Sequence, residues 1–554
     1  MNDSWNLRNP DNKIVELFSS KLDITVMLST FLVNRKVSNL VEADIFLNPN
    51  LDKLPNPFLL KGMTKTIDRI IAAIDSSEKI VVYGDFDCDG VTSTTILYSF
   101  LKSVDANIEF YIPERIEEGY GINFESIKNL AKNGTRLIIS TDCGISENEL
   151  VENCKELDLD FLITDHHTVP EIEPDSYSIV NPKQKGCEYP FKEICAAGVV
   201  FNIIMALRHK MRERGYFEFI EEPNLARYLD LVAIGTIADS MPILGVNRIF
   251  VHNGLKEIPK TKRLGLQALL KKDKSVYTAR DVSFGIAPKI NATGRVGKAS
   301  NAVRLLIESE KANVDSLLAI IDQDNKKRRT IQDDVTEQAL IQAEAKIKEN
   351  PDINSLVLSS TGWHPGVIGI VASKMVEKFH RPCAVISING DLGKGSLRTS
   401  NNINLFEVLK NCDSSLIQFG GHAGAAGITI NLDQIDKFKG LFEDTIEDYD
   451  YNFSETLDVD MEISFSEINN EFFKDIERIE PFGKENQPPV FLSSSVEVVS
   501  VNILKDKHLE VDLVDKNTKR RALWFFYNKD ILQGQNPNTL VGKMINVLYT
   551  IQKD

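Results

Sequence analysis

Three short apolar runs in the first third of the chain each end in an aspartate-bearing motif, and this repetition constrains the fold more than any other feature. Lys79–Tyr83 leads into Gly84-Asp85-Phe86-Asp87-Cys88-Asp89-Gly90, Arg136–Ser140 into Thr141-Asp142-Cys143-Gly144, and Asp160–Thr164 into Asp165-His166-His167. Segments between them, such as Val91–Ser103 and Asn123–Asn133, are long enough for crossover helices, so the pattern reads as a doubly wound parallel series. In an open parallel sheet the ligand crevice lies beyond the carboxyl ends of the strands. Carboxylates and imidazoles converging there repel one another unless a positive charge sits between them. A divalent metal site follows, with two ions the economical count and Asp142, on the middle motif, expected to bridge them. Mixed carboxylate and imidazole donors fit Mn²⁺ better than Mg²⁺, which prefers oxygen.

The Asp85-x-Asp87-x-Asp89-Gly90 run has one competitor, the calcium-binding EF-hand loop. That loop needs a bidentate glutamate at its twelfth position, which here is Ile96, and a helix before it, where Ile80-Val81-Val82-Tyr83 reads as strand. On extended backbone the three carboxylates would project to one side. Asp239, in Ile237-Ala238-Asp239-Ser240 at the end of an apolar helical run, is a further candidate ligand. Two ions flanked by carboxylates suit attack of water on phosphorus, with one ion activating the water and both stabilising charge. The substrate's phosphate oxygens then need cations, for which Arg115, Arg295 and Arg398 are candidates, the last two beside glycines that allow close backbone approach.

At 554 residues the chain is too long for one core, and about three domains are expected. Its 42% hydrophobic and 26% charged residues are ordinary globular usage, and no apolar run reaches membrane-spanning length. The first residues lack a basic segment followed by an apolar one, so no secretory signal is expected. Seven cysteines without a Cys-x-x-Cys pair exclude a complete disulfide framework and favour a reducing cytoplasm. The net charge of -16 weakens a nucleic-acid reading without removing it, because net charge describes long-range steering rather than the local site.

The expected organisation is an N-terminal arm or cap over 1–60, a catalytic domain over 61–299, a long connecting helix over 300–350, a second α/β lobe over 351–450, and a small β-barrel over 455–554. The connecting helix carries dense charge, including Lys326-Lys327-Arg328-Arg329. An acidic linker, Glu443–Tyr451, precedes the barrel. In the barrel Leu509, Val511 and Leu513 alternate with polar residues, Asp515–Thr518 suits a turn, and Arg521–Phe526 suits the return strand. Between Lys505 and Tyr527 there are six basic residues (505, 507, 516, 519, 520, 521) against four acidic ones (506, 510, 512, 515), followed by Trp524-Phe525-Phe526-Tyr527. Cations with aromatic platforms suit sequence-tolerant binding of single strands; the alternative is a row of aromatics packed in the barrel core.

Taken together and in order, Tyr83–Gly90, Thr141–Gly144, Asp165–His167, Ile237–Pro242, Ile290–Arg295, Gly362–Ala372, Gly395–Arg398 and Gly420–Gly427 resemble the RecJ family of bacterial single-strand-specific 5′→3′ exonucleases, within the Asp-His-His phosphoesterase superfamily. The resemblance covers about residues 60 to 554. It implies two α/β lobes, an Asp-His-His core with a parallel sheet and an associated second lobe, joined by a long helix and followed by an oligonucleotide-binding (OB-fold) barrel. It also implies hydrolysis of single-stranded DNA to mononucleotides with Mn²⁺ or Mg²⁺ in DNA repair and recombination. A single-strand-binding protein and a repair helicase are the expected protein partners, with no membrane association and a monomeric state. By position, Asp87, Asp89, Asp142, His166 and Asp239 resemble the metal ligands, with Asp85 counted beside them and Asp165 in support. His167, Arg295 and His364 match residues near the scissile phosphate. Arg115, Ser396 and Arg398 match a pocket for the 5′-terminal phosphate, with His422 beside it. One departure is Glu485, which stands where the family's Pro-Phe-Gly-x-Gly-Asn loop has glycine, and the loop's conformation is open on that account. The competing readings are an enzyme acting on very short oligonucleotides, which generally lacks the barrel, and a catalytically dead replication scaffold, which has no reason to retain mutually repelling acids.

Overall fold

The computed structural model describes all residues except 1–3, 116–117, 119–120, 272, 400–402, 450–455, 506, 528–534 and 553–554. The end of the acidic linker and Asp506 therefore lie outside the described residues. Contacts divide the chain into two units, one of Pro55–Met241 with Asn253–Glu455, the other of Met1–Leu54, Pro242–His252 and Thr456–Asp554.

The larger unit holds both α/β lobes. Its first sheet has the order Ile108–Tyr111, Lys79–Gly84, Thr135–Thr141, Asp160–Thr164, Ser178–Val180, and every pairing is parallel. The three central strands are runs of β-branched and aromatic residues, and Ile80–Tyr83, Leu137–Ile139 and Phe161–Ile163 are buried, as strands covered on both faces must be. Chain order reverses between Lys79–Gly84 and Thr135–Thr141, the topological switch point at which such sheets open a crevice. The helix that follows Lys79–Gly84, Cys88–Ser103, starts earlier than its apolar pattern suggests. Asp87 caps it, its carboxylate accepting from the amides of Asp89 (2.9 Å) and Gly90 (3.0 Å). The three aspartates thus do not share an extended segment: Asp85 follows the strand, Asp87 caps the helix, and Asp89 sits in its first turn.

The second lobe is a mixed sheet in the order Gln418–His422, Ala425–Asn431, Leu392–Arg398, Cys383–Asn389, Leu356–Thr361, with the helices Ile368–Phe379, Leu405–Asn411 and Ile435–Glu447. The expected connecting helix is two helices, Ser300–Ile307 and Lys311–Glu349. The break falls at Glu308, whose backbone is extended and whose carboxylate accepts from the amides of Ser309 and Glu310.

In the other unit, residues expected to form an arm are part of a core. Phe18, Leu28, Phe31, Leu32 and Phe46, from the helices Asn12–Leu22, Val26–Asn34 and Leu40–Leu47, pack with Phe472, Ile476, Ile479 and Phe491. Strand Phe491–Leu504 is the spine of a five-stranded sheet, pairing with Met461–Glu462, His508–Asp515 and Met544–Tyr549. Register shifts at Val498/Ser500 and Ser493/Val496 bend it. The return strand is Thr518–Trp524, earlier than expected, and the turn before it is carried by Lys516 at φ 54°. All seven cysteines are free, and no helix among the described residues is long and apolar enough to cross a membrane.

Candidate metal centre and phosphate site

The crevice at the switch point collects the sequence-predicted acids. One donor atom each from Asp85, Asp87 and Asp142 lies within 4.8 Å of the others; the same holds for Asp89, His166 and Asp239, and for Asp142, His166 and His167. Asp142 and His166 each belong to two of these groups. His166 Nε2 faces three carboxylates, at 3.1 Å from Asp142, 3.7 Å from Asp239 and 3.8 Å from Asp89. Burial, and then the mutual repulsion of the carboxylates, push Asp85, Asp89 and Asp142 well above the ordinary range; Asp239 is raised by burial against the pull of His166. Such a cluster is unfavourable as it stands. The donor set fits a pair of divalent cations: oxygen and one imidazole, with buried Asp85 Oδ1 and His166 Nδ1 lacking any hydrogen-bond partner among the described residues.

The backbone around the cluster is arranged to hold it. Asp142 has φ 68°, the left-handed region, which turns its carboxylate back over the strand end. Asp89 accepts from the first two amides of helix Ala196–Glu213, Ala196 at 2.6 Å and Ala197 at 3.0 Å, so a helix N-terminus steadies the charge. Gly90 lies against the Asp85 carbonyl, where a Cβ would collide with it. Asp165 accepts from the amides of Ile145, His166 and His167 and holds His167 Nδ1 at 2.7 Å. Burial opposes charge on both partners, yet this hydrogen bond holds Asp165 at about 2 and raises His167 to about 9. The bond to Asp165 therefore fixes the ring of His167, which stays partly exposed. Sequence reading missed Asn291, whose Oδ1 accepts from the Cys88 amide and ties helix Cys88–Ser103 to helix Ala287–Val296; it lies inside the Ile290–Arg295 motif without an assigned role. The Ala196 and Ala197 amides carried no side-chain signal to find.

Beside the acids stands a group of guanidiniums. Arg295 donates to the Gly366 carbonyl (3.0 Å), and a Cβ on Gly366 would run into the Arg295 carbonyl, so the second lobe's loop sits directly on this arginine. His364 Nδ1 accepts from the Gly366 amide (3.0 Å). Arg398 donates to Ser396 Oγ (3.0 Å) and the Leu397 carbonyl (2.7 Å), and both side chains close on Gly369. Arg115 lies over the Phe86 ring, 4.9 Å from its centre. Burial and the charge of Arg115 lower Arg295 to about 10, with Arg398 and Arg328 adding to the effect and Asp87 opposing it; Arg398 is lowered by burial and Arg115. These residues are thus mutually close and close to the acids. His422 stands on the edge strand Gln418–His422, exposed, its Nδ1 accepting from the Gly424 amide.

The expected basic strip on the five-stranded sheet is partly self-neutralised. Lys519 pairs with Asp512 (2.9 Å), Arg521 with Glu510 (3.4 Å) and Asp512 (3.3 Å), and Arg520 donates to the Phe465 and Ile468 carbonyls. Phe525 and Phe526 are 60% and 75% exposed, whereas Trp524 and Tyr527 pack on the sheet's core. The aromatic row divides between the two readings.

Family models match in chain order: the DHH family, N-terminal domain, over 79–236, the DHHA1 domain over 352–448, and the RecJ OB domain over 459–554, in agreement with the expected barrel. The single-stranded-DNA-specific exonuclease RecJ of Bacillus subtilis is 35% identical over 538 residues, which are 96% of this chain; the chain spans 66% of that relative's length. The protein of the same name from Dickeya dadantii is 33% identical, covering 82% of this chain and 81% of its own length. Among solved structures, the crystal structure of RecJ in complex with Mn²⁺ from Thermus thermophilus superposes with a TM-score of 0.83 at 26% identity, over 100% of this chain and 80% of that one. With an acid-and-histidine centre that fits divalent cations and relatives of this extent, the chain belongs to the RecJ family of metal-dependent nucleases.

Proposed function

We propose that the chain is a single-stranded-DNA-specific exonuclease that works from the 5′ end, releases mononucleotides by two-metal hydrolysis, and serves DNA repair and recombination. One observation carries the reading: within one unit, a carboxylate cluster that demands cations adjoins a guanidinium cluster that demands anions, the two meeting where Arg295 feels Asp87. A phosphodiester with metal ions satisfies both at once.

Asp85, Asp87, Asp89, Asp142, His166 and Asp239 would hold two Mn²⁺ or Mg²⁺ ions, with Asp142 shared. Bound there, the ions supply an activated water and charge stabilisation at phosphorus. The chain's own residues do the rest. His167, oriented by its bond to Asp165, faces the scissile phosphate. Arg295, anchored on Gly366, and His364 flank the same group from the second lobe. Arg115, Ser396 and Arg398 receive the 5′-terminal phosphate, whose extra charge distinguishes an end from an internal diester and suits paired guanidinium hydrogen bonds. His422 is proposed to lie beside that pocket. Phe525 and Phe526 offer stacking faces to bases of a single strand. A single-strand-binding protein and a repair helicase are the proposed partners, the cytoplasm the proposed compartment and a monomer the proposed state; the family resemblance alone supports these.

The test is nucleotide release from a long single strand labelled at its 5′ end, with Mn²⁺, alongside a dinucleotide and a blunt duplex. Mononucleotides from the long strand are expected, with the duplex resistant. Cleavage of the dinucleotide alone would mean a short-oligonucleotide hydrolase, and no cleavage of any of the three would mean a scaffold.

A further inference from the structure

The long helix Lys311–Glu349 buries one stripe, and most of that stripe is apolar: Val314, Ile321, Val335, Ala339, Ala343. Its middle is not. Asn325 and Gln332 are buried, and between them Arg328 lies partly buried on the same face, as the spacing of three and four residues requires. The two amides grip its guanidinium from both sides: Nη2 donates to Asn325 Oδ1 at 2.7 Å and Nη1 to Gln332 Oε1 at 2.6 Å. Among the described residues no carboxylate comes within 4 Å of this guanidinium. That is unusual for a half-buried arginine, since its charge is oriented by neutral acceptors; burial and Arg329 oppose it, and Asp333 favours it only from beyond contact distance.

The position explains the arrangement. Helix Lys311–Glu349 packs along helix Ala287–Val296, which carries Arg295, and a Cβ on Gly297 would collide with the Asp324 carboxylate, so the approach is tight one residue before Asn325. Arg328 is close enough to Arg295 to add to its lowered pKa, and neighbouring Lys327 acts likewise on His364. Four guanidiniums, Arg115, Arg295, Arg328 and Arg398, thus gather in one region, although only the other three are marked by motif position. Like charges so placed call for anions.

We propose that Arg328, held rigid by Asn325 and Gln332, is a further substrate-binding residue that takes a backbone phosphate of the nucleic acid next to the one taken by Arg295. The inference rests on the reading of the site as a nucleic-acid nuclease. A neutral grip has a purpose under this assignment: it fixes the guanidinium without spending its charge.

Asn325→Asp is the discriminating variant, because it keeps the side chain's shape and hydrogen bond while giving Arg328 a carboxylate partner. Binding of a 5′-phosphorylated, fluorescein-labelled oligodeoxythymidylate is measured by anisotropy in EDTA across a salt series, together with urea unfolding. Asn325→Asp is expected to keep or raise the urea midpoint while weakening binding about tenfold, the scale of a lost hydrogen bond to a charged group. The slope of log Kd against log salt should fall by about 0.7, the value for one phosphate contact on a single strand. Arg328→Gln should show the same two losses, and Arg328→Lys should keep the slope. Wild-type affinity and slope in Asn325→Asp would overturn the proposal, even if Arg328→Gln proved too unstable to measure. Failure of the wild-type protein to bind the oligonucleotide at low salt would instead overturn the nuclease reading on which it stands.

Discussion

Two arginine environments in this protein, one fully buried and one half-buried, differ in what satisfies them. In the smaller unit, the guanidinium of Arg248 is fully enclosed and spends its donors on backbone: Nε to Phe46 O (2.6 Å), Nη1 to Ile479 O (3.1 Å), and Nη2 to Arg478 O (3.0 Å) and Glu480 O (2.7 Å), with the Phe46 ring 3.8 Å from it. Those carbonyls come from the last turns of helices Leu40–Leu47 and Asn470–Ile479 and from the residue that follows the second, groups that helices leave without partners. In the larger unit, Arg295 and Arg398 make few bonds and face other guanidiniums. Self-sufficiency marks a structural residue, and burial with mutual repulsion marks a site awaiting a ligand. The carboxylate cluster obeys the same rule with the sign reversed.

The largest effect expected from this contrast is at Asp142. Asp142→Ala removes the residue shared between two donor groups, so kcat with Mn²⁺ should fall by about three orders of magnitude or more, while the urea midpoint holds or rises because a repelling buried charge has gone. Isothermal titration should show lost Mn²⁺ binding. Retention of a tenth of wild-type kcat at saturating Mn²⁺ would sink the shared-ligand assignment.

Next come the arginines themselves, where the two environments should respond oppositely. Arg248→Ala removes a donor from four carbonyls, of which Ile479 O keeps Asn486 Nδ2, and should cost about 3 kcal/mol or more in urea unfolding. Arg398→Ala removes bonds to only two near neighbours on its own strand and should cost less than about 1 kcal/mol. Its effect belongs in kcat/KM: the preference for 5′-phosphorylated over 5′-hydroxyl strands should narrow. Equal stability losses in the two variants would break the comparison, and an unchanged 5′-phosphate preference would remove Arg398 from the end pocket.

How much of this was legible in the sequence follows from where each determinant lies. The proposed metal donors are particular side chains just beyond strand ends, so Asp87, Asp142 and His166 could be named as candidates from motif and position. The long-range determinants could not. That Phe18 and Phe31 share a core with Phe472 and Phe491 depends on contacts between segments more than 400 residues apart, and periodicity carries no trace of them. Asp87 hid its role as a helix cap, since a cap and the metal ligand proposed there call for the same residue type at the same place. The charge of Lys519 and Arg521 looked available because the pairing partners Asp512 and Glu510 lie across a hairpin whose register only the fold sets. Arg328 was visible only as one of four consecutive cations; what singles it out is which of them the helix turns inward.

The smallest predicted effect separates two residues that share a backbone conformation. Asp142 and Glu485 both lie in the left-handed region, at φ 68° and φ 59°, which disfavours any side chain by about 1–2 kcal/mol. At Asp142 the carboxylate is needed. At Glu485 the loop is set by its neighbours: Lys484 O accepts from the Ile243 amide (2.9 Å), Gly483 and Asn486 bond to each other, and buried Asn486 donates to Ile479 O and Pro481 O while accepting from Arg35 Nε (2.5 Å). The frame thus imposes the positive φ, and among the described residues no hydrogen bond or ion pair ties the Glu485 side chain to it. Glu485→Gly should relieve the strain but also loosen the unfolded chain, which offsets about 0.4–1 kcal/mol of the gain. The net expectation is a stabilisation of a few tenths of a kcal/mol up to about 1, read as a higher urea midpoint at unchanged slope, with nuclease activity on 5′-phosphorylated strands unaltered. A lower midpoint would show that the side chain contributes more than its backbone strain costs, and that this departure from glycine is a stabilising feature.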